Sequence, residues 1–141
     1  MRNKTGLPKS VIVALAILLL AILFLILTVN RNPLHIYLLP ENFVGQVQTI
    51  FEQPDAPPLA KENNNTYIYH VPASGTLKTS SRMESGPVEV YYIDSQGNRR
   101  KVEHERFHGV STRSGGPENI TVSEFFIGSE EQYDSFRNSN K

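Results

Sequence analysis

Residues 104–108 read His-Glu-Arg-Phe-His, a match to the H-E-x-x-H pattern of zinc peptidases. That chemistry needs a helix, where residues four apart share a face and two imidazoles can reach one metal. His104 and His108 would be the ligands, and Glu105 would act as base for the metal-bound water. The surroundings argue against the helix. Residues 99–102 read as a strand running straight into the motif, no Ser, Thr, Asp or Asn caps it, and Gly109 follows at once. A helix here could have about two turns, a marginal length. In an extended run, residues four apart are separated by about 13 Å and cannot share a metal. Glu118, Glu124, Glu130 and Glu131 are third-ligand candidates by residue type alone. The expectation is surface histidines on a strand or loop, holding no zinc.

Four tyrosines are the other candidates. Tyr67, Tyr69, Tyr91 and Tyr92 fall in two strand-like runs and could form an aromatic binding face; the plainer role for them is to fill a core or shield its edge. His70, in the same run as Tyr67 and Tyr69, reads as a hydrogen-bonded, half-buried histidine. No Ser-His-Asp arrangement, glycine-rich phosphate loop or paired-carboxylate signature stands out. The chain has no cysteine, which excludes disulfides, thiolate metal sites and a lipid-modified cysteine. From residue 30 onward there are 11 basic and 14 acidic residues, so nucleic-acid binding has no electrostatic support. The basic run Arg99-Arg100-Lys101 reads as a solvated strand end. Pro54-x-x-Pro57 matches a polyproline-ligand pattern but reads better as a turn.

The elements that would position these residues are short and punctuated. Residues 34–39 are apolar on both sides and end at Pro40, which predicts a strand buried on one face and partly on the other. From Gly45 a second run places Val47, Thr49 and Phe51 on one side. Residues 55–58 (Asp-Ala-Pro-Pro) break regular pairing, and residues 62–65 (Glu-Asn-Asn-Asn) read as a polar loop. Strands are predicted at 66–71 and 75–79. The clearest hairpin joins 88–93 to 99–102 through 94–98, with Gly97 in a left-handed position. Residues 111–117 read as loop, 120–127 as a strand, and Ser129 as the cap of a short helix from Glu130 to about Arg137. Asn64 and Asn119 begin glycosylation-acceptor triplets, which matter only in a host that reads them. There is no internal repeat.

The fold class expected is all-β: a small antiparallel β-sandwich of transthyretin- or Ig-like type, behind one N-terminal transmembrane helix and ahead of a short C-terminal helix. No long amphipathic helix is available to cover a parallel sheet.

The membrane assignment rests on residues 11–29, in which fifteen of nineteen are Leu, Ile, Val or Phe and only Thr28 is polar. At about 1.5 Å per residue that run is about 28 Å long, close to a bilayer core. It shows no polar face, which a helix at the edge of a soluble core would need. Arg2, Lys4 and Lys9 precede it and only Arg31 lies close behind, so the N-terminus is expected to stay cytoplasmic. The run is longer than the apolar region of a signal peptide, and its exit, Leu27-Thr28-Val29-Asn30-Arg31, has no A-x-A pattern. The predicted organisation is a cytoplasmic tail at 1–10, a span at 11–29, a juxtamembrane segment at 30–36 and an extracytoplasmic β domain at 37–141.

The stretch Tyr37-Leu38-Leu39-Pro40-Glu41-Asn42-Phe43-x-Gly45, followed by Phe51-x-Gln53-Pro54-Asp55, Pro58-Leu59, Tyr69-x-Val71-Pro72, Gly75-x-Leu77 and Thr79, carries a resemblance. With Phe126-Ile127-Gly128-Ser129-Glu130-Glu131 it resembles a domain-of-unknown-function family of small exported proteins from Bacillus-like Gram-positive bacteria. Ala56 departs from that pattern, where glycine is expected after Pro-Asp. The resemblance implies export and carries no catalytic assignment. The spacing of Gly45, Phe51, Val71-Pro72 and Gly75 is also similar to transthyretin-like and carboxypeptidase-regulatory-like sandwiches.

The functional reading is a membrane-anchored, non-catalytic binding or scaffolding module, with a cell-surface protein or polymer as partner and no cofactor. The alternatives are a zinc-dependent peptidase through His104, Glu105 and His108, and a released secreted form of the same domain.

Overall fold

The structure is a computed structural model that describes residues 6–28, 32–116 and 120–141. The chain separates into two compact units, Met1–Arg31 and Asn32–Lys141. Arg2, Lys4, Arg31, Glu118 and the glycosylation-acceptor residue Asn119 lie outside the described residues.

The first unit is helix α1, Lys9–Thr28. Its window Lys9–Ile26 is apolar and long enough to cross a membrane, and none of it is buried. Leu18, Leu19, Leu20, Phe24 and Leu25 are each more than half exposed, so the apolar surface runs round the whole helix. Pro8 precedes it, and its carbonyl accepts from the amides of Val11 and Ile12. Among the described residues it is the one membrane-crossing candidate, as in a single-pass membrane protein.

The second unit holds nine strands in two mixed sheets, with a short C-terminal helix. The strands are β1 Leu34–Pro40, β2 Gly45–Ile50, β3 Ala60–Asn63, β4 Thr66–His70, β5 Thr76–Lys78, β6 Val88–Ile93, β7 Arg99–Lys101, β8 Phe107–Gly115 and β9 Ile120–Ile127. One sheet has the order β3-β4-β1-β6-β7, the other β5-β2-β9-β8. β1 begins at Leu34, inside the stretch read as juxtamembrane.

The expectation of antiparallel sheets is corrected here. β1 runs parallel to both of its neighbours, β4 and β6, and β2 runs parallel to β5. Parallel neighbours usually need a helical crossover. Here the chain crosses by way of the other sheet: it leaves β1, forms β2 in the second sheet, and returns through β3 to β4.

β1 is buried throughout residues 35–39 because its two faces feed two apolar clusters. Tyr37 and Leu39 enter the large one, with Val47 and Phe51 from the second sheet's side, Tyr69, Val90 and Tyr92 from the first, and Phe125 and Ile127 from β9. Ile36 and Leu38 enter a smaller cluster with Ile68, flanked by Leu34, Tyr91 and Ile93. Arg99 of β7 meets Glu62 of β3 at 3.0 Å, so side chains from the two edge strands of that sheet touch.

The hairpin turn forms as its residues require. The Asp94 carboxylate accepts from the amides of Gln96 and Asn98, and Gly97 takes φ 86°. Helix α2, Glu130–Ser139, starts with a capping box in which Ser129 Oγ accepts from Gln132 N, and Gln132 Oε1 accepts from Ser129 N. Two strands differ from the sequence reading. β3 runs two residues into the polar loop expected at 62–65, and β8 continues through residues 111–115, also read as loop. Both are edge strands with exposed polar side chains, so no alternation of apolar residues marks them.

Candidate functional site

The H-E-x-x-H motif does not build a helix. His104–Arg106 form a single 3-10 turn and Phe107 opens β8. His108 stacks on Tyr133 of α2 with ring centroids 5.1 Å apart and planes 9° apart. Its Nε2 lies 3.0 Å from the Gly128 carbonyl oxygen. A carbonyl only accepts, so that nitrogen carries the proton and has no lone pair for a metal. His104 and Glu105 are exposed on the turn. Among the described residues no group of three His, Cys, Asp or Glu side chains is placed to hold a metal ion. Gly109, which ends the motif, takes φ 60° with its α-carbon against the Tyr133 ring, an approach that no larger residue could make.

The four tyrosines divide. Tyr91 lies on the small-cluster face, where its hydroxyl donates to Glu89 Oε2 at 2.6 Å and Lys101 lies over its ring. Tyr92 is buried in the large cluster and donates to the Phe43 carbonyl at 3.2 Å. Tyr67 and Tyr69 are brought together with a residue the sequence reading passed over, His35. His70, by contrast, is exposed.

Parallel pairing creates this second site. β1 and β4 align His35 with Tyr67 and Tyr37 with Tyr69, with no diagonal offset. Residues two apart share a face, so each aligned pair stacks. His35 lies over Tyr67 at 5.7 Å and 12°, and Tyr37 over Tyr69 at 4.1 Å and 16°. Phe51 meets Tyr69 edge-on at 6.4 Å. His35 Nδ1 is 2.8 Å from the Tyr69 hydroxyl. The Tyr67 hydroxyl donates to Glu84 Oε1 at 2.6 Å, which ties the sheet to the segment before β6.

All of these residues except Tyr67 line a cavity of about 250 Å³. His35, Tyr37, Phe51 and Tyr69 are its buried wall, while Met83, Glu84, Val110 and Thr112 stand exposed at its mouth. Gly86 makes the wall possible: a β-carbon there would fall 1.9 Å from the Pro33 carbonyl and 3.0 Å from His35 Nε2. His35 is only 4% exposed, yet its Nε2 has no protein partner. Burial pushes the His35 pKa down against an opposing pull from Glu84, so the ring is neutral at pH 7. Burial also pushes the Tyr69 hydroxyl above its ordinary range, and the Tyr37 hydroxyl likewise.

The outer face of the second sheet offers a contrast. Glu124 accepts from Gln46, Gln48 and Ser111 at 3.1–3.2 Å and pairs with Arg113 at 3.3 Å, so its polar atoms are already engaged.

No curated protein matches this chain. A crystal structure of a Bacillus anthracis protein, described as a candidate lipoprotein, is similar to it with a TM-score of 0.58 and 24% identity, over 69% of this chain and 73% of the other. That likeness supports the fold alone. The resemblance carried by residues 37–79 and 126–131 is matched at the level of family. The unit holding both histidine sites is a membrane-associated domain, and residues 31–136 match the profile of a family of unknown function (DUF6843), to which the chain belongs.

Proposed function

We propose that this protein is a single-pass, membrane-anchored module that displays a β-sandwich of transthyretin- or Ig-like kind on the outer face of the membrane, where it binds or scaffolds rather than catalyses. The observation that carries this is α1: a twenty-residue helix with apolar side chains exposed on every side, attached to a separately compact β unit. In water such a helix would leave a long apolar surface uncovered; in a bilayer it is solvated. Arg2, Lys4 and Lys9 before the span favour an inside N-terminus. That gives a tail at 1–10, a span at 11–29 and an outer domain after it. The partner is a cell-surface protein or polymer. Of the four candidate tyrosines, Tyr69, which lines the cavity, is best placed to serve binding, and Tyr67 supports it by stacking on His35.

Protease added to intact protoplasts tests the topology. The β domain is expected to be digested while a short N-terminal fragment survives. A fully protected domain would refute the reading. The intact mass of the membrane-extracted protein separates anchor from released form, since cleavage after the span removes at least the first 29 residues.

A further inference from the structure

We propose that the cavity beside His35 is a binding site for a compact alkylammonium group; this deepens the binding-module reading and rests on it. Three features converge. The first is His35, a buried residue of the cavity wall whose Nε2 has no protein partner. An unpaired buried nitrogen carries a desolvation cost that a bound hydrogen-bond partner removes. The second is charge. Glu84 is the one charged residue among those lining the cavity, and its carboxylate stands at the mouth. Lys61, over the Tyr67 ring at 4.6 Å, is outside the lining. An anion entering would meet the Glu84 charge with no cation opposite; an ammonium would be drawn in. The third is the aromatic wall of Tyr37, Phe51 and Tyr69, the lining that favours organic cations.

The His35–Tyr69 pair can meet such a ligand by choice of tautomer. With Tyr69 donating to Nδ1, the Nε2 nitrogen carries the proton. With Nδ1–H donating to the Tyr69 oxygen, Nε2 presents a lone pair. An ammonium N–H donates to that lone pair, so binding selects the second tautomer. Burial disfavours protonation of His35, so the second tautomer can offer that lone pair at neutral pH. A volume of about 250 Å³ admits an amine of a few carbons and excludes a folded peptide.

The test uses the full chain in lipid nanodiscs at pH 7.5 with nitrogen-labelled histidine. Ethylammonium, acetate and N-methylacetamide serve as probes of similar size, and acetyl-lysine amide as an amine borne on a longer chain. The expected result is a saturable change of the His35 ring nitrogens toward the Nδ1–H form with ethylammonium, at least tenfold weaker in Glu84→Gln and undetectable with acetate. Binding of acetyl-lysine amide as well assigns the site to a chain-borne amine, and ethylammonium alone assigns it to a free amine; either supports the proposal. Glu84 is exposed, so Glu84→Gln is expected to fold and keeps the test decisive where a His35 substitution would not. Equal response to all three small probes, no saturable response, or an unchanged affinity in Glu84→Gln overturns it. The measurement is blind to membrane orientation, so its failure and a failure of the protoplast experiment are separate results.

Discussion

His35 and His108 each stack on a tyrosine from a neighbouring element, at 12° and 9° between planes, yet they are opposite in every other respect. His108 belongs to a recognisable motif, lies half-exposed, and gives its Nε2 proton to a backbone carbonyl. His35 belongs to no motif, is buried, and keeps one ring nitrogen unpaired beside a cavity. The pair teaches that a histidine's chemistry follows from what its second nitrogen meets. His108 is a structural pin between β9 and α2. His35 has a bonding position left over.

The contrast can be broken or sharpened by substitution. Gly86→Val pushes a side chain into the Pro33 carbonyl and the His35 ring, and is expected to cost about 3 kcal/mol, seen as a lowered urea midpoint. If it is neutral, the wall of the cavity is looser than described. Tyr69→Phe removes the hydroxyl that pairs with His35 Nδ1 and leaves both ring nitrogens unpaired, at a cost of about 2 kcal/mol by the same measurement.

His35 also makes the fold sensitive to acid. The His35 pKa is lowered by burial, so the folded form binds fewer protons than the unfolded chain. Its stabilising effect is therefore present above about pH 6.5 and is lost as pH falls through that value toward the folded pKa. Tyr67, Tyr69 and Glu84 are the titratable groups around it. The melting temperature should fall between pH 7 and pH 5.5, and the fall should shrink in His35→Gln. An equal fall in both proteins would remove His35 as its cause. The smallest effect belongs to the motif: the double variant His104→Ala, His108→Ala should lose about 1 kcal/mol, for the Gly128 bond, and show the same near-zero zinc by elemental analysis as the parent. One zinc per chain in the parent alone would restore the peptidase reading.

Local signals were legible wherever they act over a few residues. The hairpin at 94–98, the left-handed Gly97, the Ser129 cap and the double-sided burial of residues 34–39 were all readable, because turn chemistry and apolar runs are written in adjacent positions. β3 and the outer half of β8 were not, since an edge strand takes its hydrogen bonds from a partner and leaves its own side chains polar. His35 was passed over for a related reason: nothing near it in sequence marks it.

By itself, the sequence determined the apolar span, the strand-rich domain after it, and the failure of residues 104–108 to become a helix. Each is settled by composition or by neighbours within a turn or two. The tertiary structure alone decided that β1 runs parallel to β4 and β6. That direction is set by how the chain crosses between sheets, which no local residue encodes. With β1 antiparallel to β4, the ascending order His35, Tyr37 would face Tyr67 and Tyr69 in reverse. In parallel register His35 meets Tyr67, Tyr37 meets Tyr69, and the diagonal brings the Tyr69 hydroxyl to His35. The cavity and its unpaired nitrogen are consequences of strand direction.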